Sequence, residues 1–179
     1  MTRPSSPCPP ISDEAWPDRL ADMKGGFATG LNVYRTMAHH PALLRAWAPL
    51  RQHIVKENAL GPERLEVVIL RAAYRLGSDY EWSQHVDRAR KLGFESDRIE
   101  AIRSGAEGHD LLLVRAVDAL LDDRRLTSAQ EAELAGIFGR DAVIDLIATV
   151  GFYSTLGYLL MTYETPLDDD IGYHPSQIE

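Results

Sequence analysis

Residues 61–93 read GPERLEVVILRAAYRLGSDYEWSQHVDRARKLG, and they hold two helices folded back on each other. Gly61 turns the chain, and Pro62 stands at a first helical position, where its missing N–H leaves no bond unmade. Glu63 suits the positive end of a helix, and Gly77 stops the run after Leu76. A second helix is expected from Asp79 to Leu92, ending at Gly93. Only Gly77 and Ser78 separate the two, so they are expected to pack as antiparallel neighbours.

Placing residues at about 100° per position gives each helix a polar and an apolar side. In the first, Arg64, Arg71 and Arg75 fall together and define the polar side. Glu66 falls opposite, flanked by Ile69, Leu70 and Ala73, so its carboxylate is aimed at the core. That is costly unless the group is paired, hydrogen-bonded or protonated. In the second, Trp82, Val86, Ala89 and Leu92 form the apolar stripe, while Ser83, Asp87 and Arg90 are expected to face solvent. His85 lies inside the stripe and Glu81 at its edge, one turn earlier, so Glu66 and His85 can meet between the helices. Two readings of such a pair stand side by side. One is a carboxylate and an imidazole tuned by burial for proton transfer near neutral pH. The other is a structural hydrogen bond that satisfies two buried groups. A metal site is the third option; no spacing such as His-Glu-x-x-His is present, and no metal is assigned.

Outward from this pair the same helical period recurs. Ser12 to Met23 carries Trp16, Leu20 and Met23; Phe27 to His40 is a second run, closed by Pro41. Leu43, Leu44, Trp47, Leu50 and Ile54 mark one apolar face from Pro41 to Glu57, which Pro49 is expected to kink or split. A short helix over Asp97 to Arg103, an apolar one over Leu111 to Leu121, a third opened by Thr127-x-x-Gln130, and a long one ending before Pro166 complete the pattern. No run alternates with period two for long enough to make a strand, so the fold class is all-α. The expected layout is a tail over residues 1–11, one helical domain over 12–166, and a solvated tail over 167–179 that begins with Asp168 to Asp170.

At 179 residues with 45% apolar content, one domain can bury its own core, and the net charge of -8 disfavours phosphate backbones. No nucleic-acid partner is expected. Residues 1–10 have no apolar core of a secretory signal, and Cys8, the single cysteine, has no disulfide partner within the chain, so a cytoplasmic location is expected. The stretch Ala142 to Tyr163 has nearly the length of a membrane span, but Asp145, Thr149, Ser154 and Thr162 interrupt it, and it reads as a core or interface helix with no membrane partner. An apolar segment such as Ala148 to Met161 points to a homo-oligomer, most simply a dimer. His39 and His40 read as surface residues beside Pro41. Tyr153 and Tyr158 lie on the last helix, where either hydroxyl could face a pocket.

Glu66, the segment Gly77-Ser-Asp-Tyr-Glu-Trp-Ser-Gln-His85, Ala89 and Gly93-Phe94 together resemble the carboxymuconolactone decarboxylase and alkyl hydroperoxidase D superfamily, over roughly Asn32 to Tyr163. The redox members of that family carry a glutamate, a Cys-x-x-Cys pair at a helix N-terminus, and a histidine after three further residues. Glu66 and His85 match the first and last; Ser78 and Glu81 stand at the cysteine positions, as in a branch without the cysteines. The resemblance implies a helical bundle of antiparallel helices and a small-molecule pocket with Glu66, His85 and Glu81 as catalytic groups. Ser78, Trp82 and Tyr153 are the implied substrate-binding groups. It implies no cofactor. It suggests decarboxylase-type lyase chemistry on a small organic acid or lactone, with His85 protonating carbon and Glu66 orienting it. Peroxidase-like oxidoreduction and a non-catalytic helical oligomer are the alternatives, although serine and glutamate cannot cycle through a disulfide. Locally, Ser78-x-x-Glu81 has the spacing of a helix capping box. No arginine or lysine beyond the polar side of the first helix is read as facing the pocket.

Overall fold

The computed structural model describes residues 6–175. Among them there is no β-strand. A 3₁₀ helix, Asp18–Met23, is followed by α1 (Phe27–Gly30), α2 (Asn32–Met37) and α3 (Pro41–Gln52), then a π-helical turn, His53–Glu57. The rest of the domain is α4 (Pro62–Leu76), α5 (Asp79–Lys91), α6 (Ser96–Ser104), α7 (Gly108–Asp122), α8 (Ser128–Phe138) and α9 (Arg140–Thr162). The helix expected over Phe27 to His40 is broken at Leu31, whose backbone is extended. Pro49 is held inside α3; the regular helix runs three residues further and then widens into the π turn.

Helix α4 is central and packs against α5, α7 and α9. One apolar cluster joins α4 to α7, α8 and α9 through Val67, Leu70, Leu113, Val117, Leu134 and Leu146. The other joins α4 to α2, α3 and α9 through Ile69, Val33, Leu44, Phe152 and Leu156. The α4–α5 hairpin turns on Gly77, whose φ of 68° is left-handed and free of side-chain strain only for glycine. The Ser78 amide then donates back to the Ala73 carbonyl at 3.0 Å, fixing where α5 begins.

Both expected tails are tied down where they are described. Near the N-terminus the Ile11 amide donates to the Arg35 carbonyl at 3.3 Å, the Arg35 guanidinium donates to the Ile11 carbonyl at 2.7 Å, and Ile11 packs on the second cluster. Residues 1–5 lie outside the described residues. At the other end Asp168, expected in solvent, is buried: it accepts from the Asn32 amide at 2.7 Å, from the Tyr80 hydroxyl at 2.6 Å and from the Gln84 amide. Three donors replace the water that a carboxylate loses on burial. The chain then runs along α5, where Ser83, expected on the solvent side, is covered by His174. Its hydroxyl donates to the His174 carbonyl and accepts from the His174 amide, each at 2.9 Å. Helix α9 is long and apolar enough to cross a membrane, and a little over half of that stretch is buried inside the domain.

Candidate active site

The geometry follows from the hairpin. Glu66 projects from the buried side of α4 and His85 from α5, and His85 Nδ1 lies 2.6 Å from Glu66 Oε2. A carboxylate oxygen accepts, so Nδ1 carries the proton and Nε2 presents its lone pair on the far side of the ring. There Glu81 Oε2 stands 3.6 Å away, too far for a hydrogen bond, and Glu81 Oε1 is buried without a partner. Tyr153 of α9 meets the His85 ring edge-on, with centroids 5.1 Å apart. Glu66, Glu81 and His85 are each no more than 7% exposed.

Burial decides the protonation states. It pushes the Glu81 carboxyl up to about 8, with the carboxylates of Asp168 and Glu66 adding to the rise and Arg88 opposing it. Burial also lowers His85, overriding the pull of Glu66 toward the charged form. At neutral pH the wall of the site therefore holds a protonated carboxyl beside a neutral imidazole, an acid and a base separated by 3.6 Å. Tyr34 is pushed up to about 12 and Tyr153 is raised well above its usual value, both by burial, so both hydroxyls stay protonated donors.

These groups face a cavity of about 310 Å³ including its mouth, and its centre admits little more than a water-sized group. His85, Glu81 and Tyr153 are on its wall, with Tyr34, Tyr80 and Gln84; Glu66 sits behind His85. Two of the expected substrate-binding residues are elsewhere. Ser78 is sealed beneath α9 at Gly157, its hydroxyl buried without a partner. Trp82 packs toward Tyr74 and beneath Arg103 and is not among the residues that line the cavity. The expected capping box is also absent: Ser78 makes no side-chain cap bond, because the Glu81 side chain turns inward to the cavity.

Sequence reasoning missed two cations on the cavity wall, Arg51 of α3 and Arg88 of α5. A signal for the second was present: Glu81, Gln84, His85 and Arg88 stand at i, i+3, i+4 and i+7, one face of a helix. That polar face is buried because the Asp168 segment and α9 close over it. Arg71 and Arg75, by contrast, are spent elsewhere. Arg71 forms a fork with Asp118, both bonds 2.8 Å, and caps the carbonyls of Ile102 and Arg103, while Arg75 bridges Asp118 and Asp122. Among the described residues no three His, Cys, Asp or Glu side chains are arranged to share a metal ion.

Residues 41–122, from α3 to the end of α7, match the model of the carboxymuconolactone decarboxylase family. The fold of this chain is similar to the crystal structure of an uncharacterized peroxidase-related protein from Silicibacter sp. TM1040. The TM-score is 0.75 over 95% of this chain and 96% of that one, at 14% identity. No curated protein matches the sequence. In this chain Glu66 and His85 stand where the resemblance places a glutamate and a histidine, and Ser78 and Glu81 stand at the two positions where it places sulfur.

Proposed function

We propose that the chain is a decarboxylase-type lyase that moves a proton to carbon on a small organic acid or lactone. The observation that carries the reading is the 2.6 Å Glu66–His85 bond behind a cavity whose wall presents His85 Nε2 and a protonated Glu81. When the bond between carbon and carboxylate breaks, carbon dioxide leaves and the electron pair stays on carbon, delocalised toward an adjacent carbonyl. That carbon must then be protonated. Glu81 gives its proton to His85 Nε2, Glu66 stabilises the imidazolium formed, and the imidazolium delivers the proton to carbon. Glu81 recovers its proton from water as the product leaves.

The test is substrate depletion by the purified protein across a panel of lactone acids, with peroxides plus a dithiol reductant in parallel. Carbon dioxide release from a lactone acid is the expected result, with His85→Gln and Glu66→Gln each lowering kcat by about 100-fold or more. Because the two share one proton, the double variant is expected to lose much less than the product of the single losses. Peroxide consumption without lactone acid turnover would instead favour the oxidoreductase alternative.

A homo-oligomer is part of the same proposal. Ile144, Ile147, Tyr158 and Met161 lie along one side of α9 and are 41–60% exposed, a row of apolar side chains that self-association would cover. Sedimentation at micromolar concentration is expected to show more than a monomer.

A further inference from the structure

We infer that Arg51 and Arg88 form a binding site for the carboxylate of a small organic anion in the cavity beside His85. The inference deepens the function proposed above by assigning the ligand's anchor, and it can fail separately. Arg88 is half-buried on α5, one turn beyond His85, and points into the cavity. Among the described residues no carboxylate lies within ion-pair distance of it and no hydrogen bond reaches it. Half-buried arginines away from this cavity behave differently: Arg71 and Arg75 each hold aspartate oxygens at 2.5–2.8 Å, and Arg35 holds the Thr29 and Ile11 carbonyls and Asp13. A guanidinium has five donors and no acceptor, and withdrawing it from water without partners is unfavourable. Arg88 stands in that condition.

Arg51 enters the same cavity from α3. Its guanidinium lies over the Phe27 ring, 4.2 Å from the centroid, and 5.5 Å from that of Tyr34; its Nε is buried without a partner. Stacking on two rings fixes the plane of the fork without using the hydrogen-bonding edge along Nε, which is the edge a carboxylate takes in a paired arrangement. The tyrosine hydroxyls on the wall remain donors. The two buried carboxylates nearby are already engaged, Glu66 by His85 and Asp168 by Asn32, Tyr80 and Gln84, so neither guanidinium has a carboxylate bonded to it. The centre of the cavity admits little more than a water-sized group, so a carboxylate enters as the two guanidiniums move apart. Both arginine side chains are long enough to swing and widen it.

Propionate is the probe, with propionamide as the uncharged control and sulfate as a tetrahedral anion, each titrated into the full chain by calorimetry and by amide NMR shifts. Saturable propionate binding is expected, with shifts centred on Arg51, Arg88 and Tyr153, and with propionamide and sulfate weaker by about tenfold or more. Arg88→Gln and Arg51→Gln are each expected to weaken propionate by about tenfold or more, the cost of losing charge-assisted bonds. Arg88→Lys should recover part of the loss. Arg90→Gln, the same charge change at an exposed position of α5, should leave binding within about twofold. The inference is overturned if propionate does not bind, if propionamide or sulfate binds as tightly, or if Arg88→Gln and Arg90→Gln are equivalent. Binding that depends on Arg88 in a protein with no lactone acid turnover sinks the proton-transfer reading alone. Turnover with a KM indifferent to Arg88→Gln sinks the anion site alone.

Discussion

Two helix starts in this domain carry the same sequence signature and end differently. Thr127-x-x-Gln130 opens α8 with a complete capping box: the Thr127 hydroxyl accepts from the Gln130 amide at 3.2 Å, and Gln130 Oε1 accepts from the Thr127 amide at 2.8 Å. Ser78-x-x-Glu81 opens α5 with neither bond. The first lies at the surface, where the cap is the best partner on offer; the second is roofed by α9, and its glutamate turns to a cavity containing His85 and Arg88. A local rule that holds at one helix and fails at its twin marks the place where side chains serve something other than the helix.

The largest expected effect is on turnover. Glu81→Gln removes the acid and is expected to lower kcat by about 100-fold or more, while Gln130→Ala leaves kcat unchanged; equal effects would erase the distinction between the two starts. The next effect is on stability against pH. Glu81 holds its proton in the folded chain up to about 8, against its usual 4.5, so the unfolded chain releases that proton first. Wild-type stability therefore falls as pH rises from about 4.5 to 8 and then levels. His85 acts with the opposite sign: its lowered value gives a contribution present above 6.5 and lost as pH falls through its folded value. Urea melts from pH 5 to 8.5 should show the Glu81 component disappear in Glu81→Gln. The smallest effect compares the hydroxyls. Thr127→Ala is expected to cost about 1 kcal/mol, as for a lost N-cap, whereas Ser78→Ala should stay within about 0.5 kcal/mol of wild type because no cap bond is lost.

The fold was legible because its signals are local. Gly77 between two periodic runs forces the hairpin, and Glu66 and His85 betray themselves as ionisable residues on apolar faces, so their meeting follows from helix geometry alone. What closes the cavity was not legible. Asp168 reads as part of an acidic, solvated run until Asn32, Tyr80 and Gln84 are seen to converge on it from elements distant in sequence. Arg51 has no helical partner in α5 to reveal it, and Arg88 was hidden because the apolar stripe of α5 draws attention away from the polar face beside it, Glu81, Gln84, His85 and Arg88. Trp82 was misplaced for a related reason: α5 is buried on several sides, so proximity in sequence to His85 did not mean a shared cavity wall.

The central claim is that Glu81 keeps its proton at neutral pH beside a neutral His85 whose Nδ1 is committed to Glu66. Carbon-13 NMR of the Glu81 carboxyl, followed from pH 4 to 9.5 together with the nitrogen-15 shifts of the His85 ring, tests it directly. The account predicts that the Glu81 carboxyl titrates near 8 while His85 shows a protonated Nδ1 and an unprotonated Nε2 at pH 7. A Glu81 carboxyl that titrates in the ordinary carboxylate range, or a His85 doubly protonated at pH 7, would contradict it.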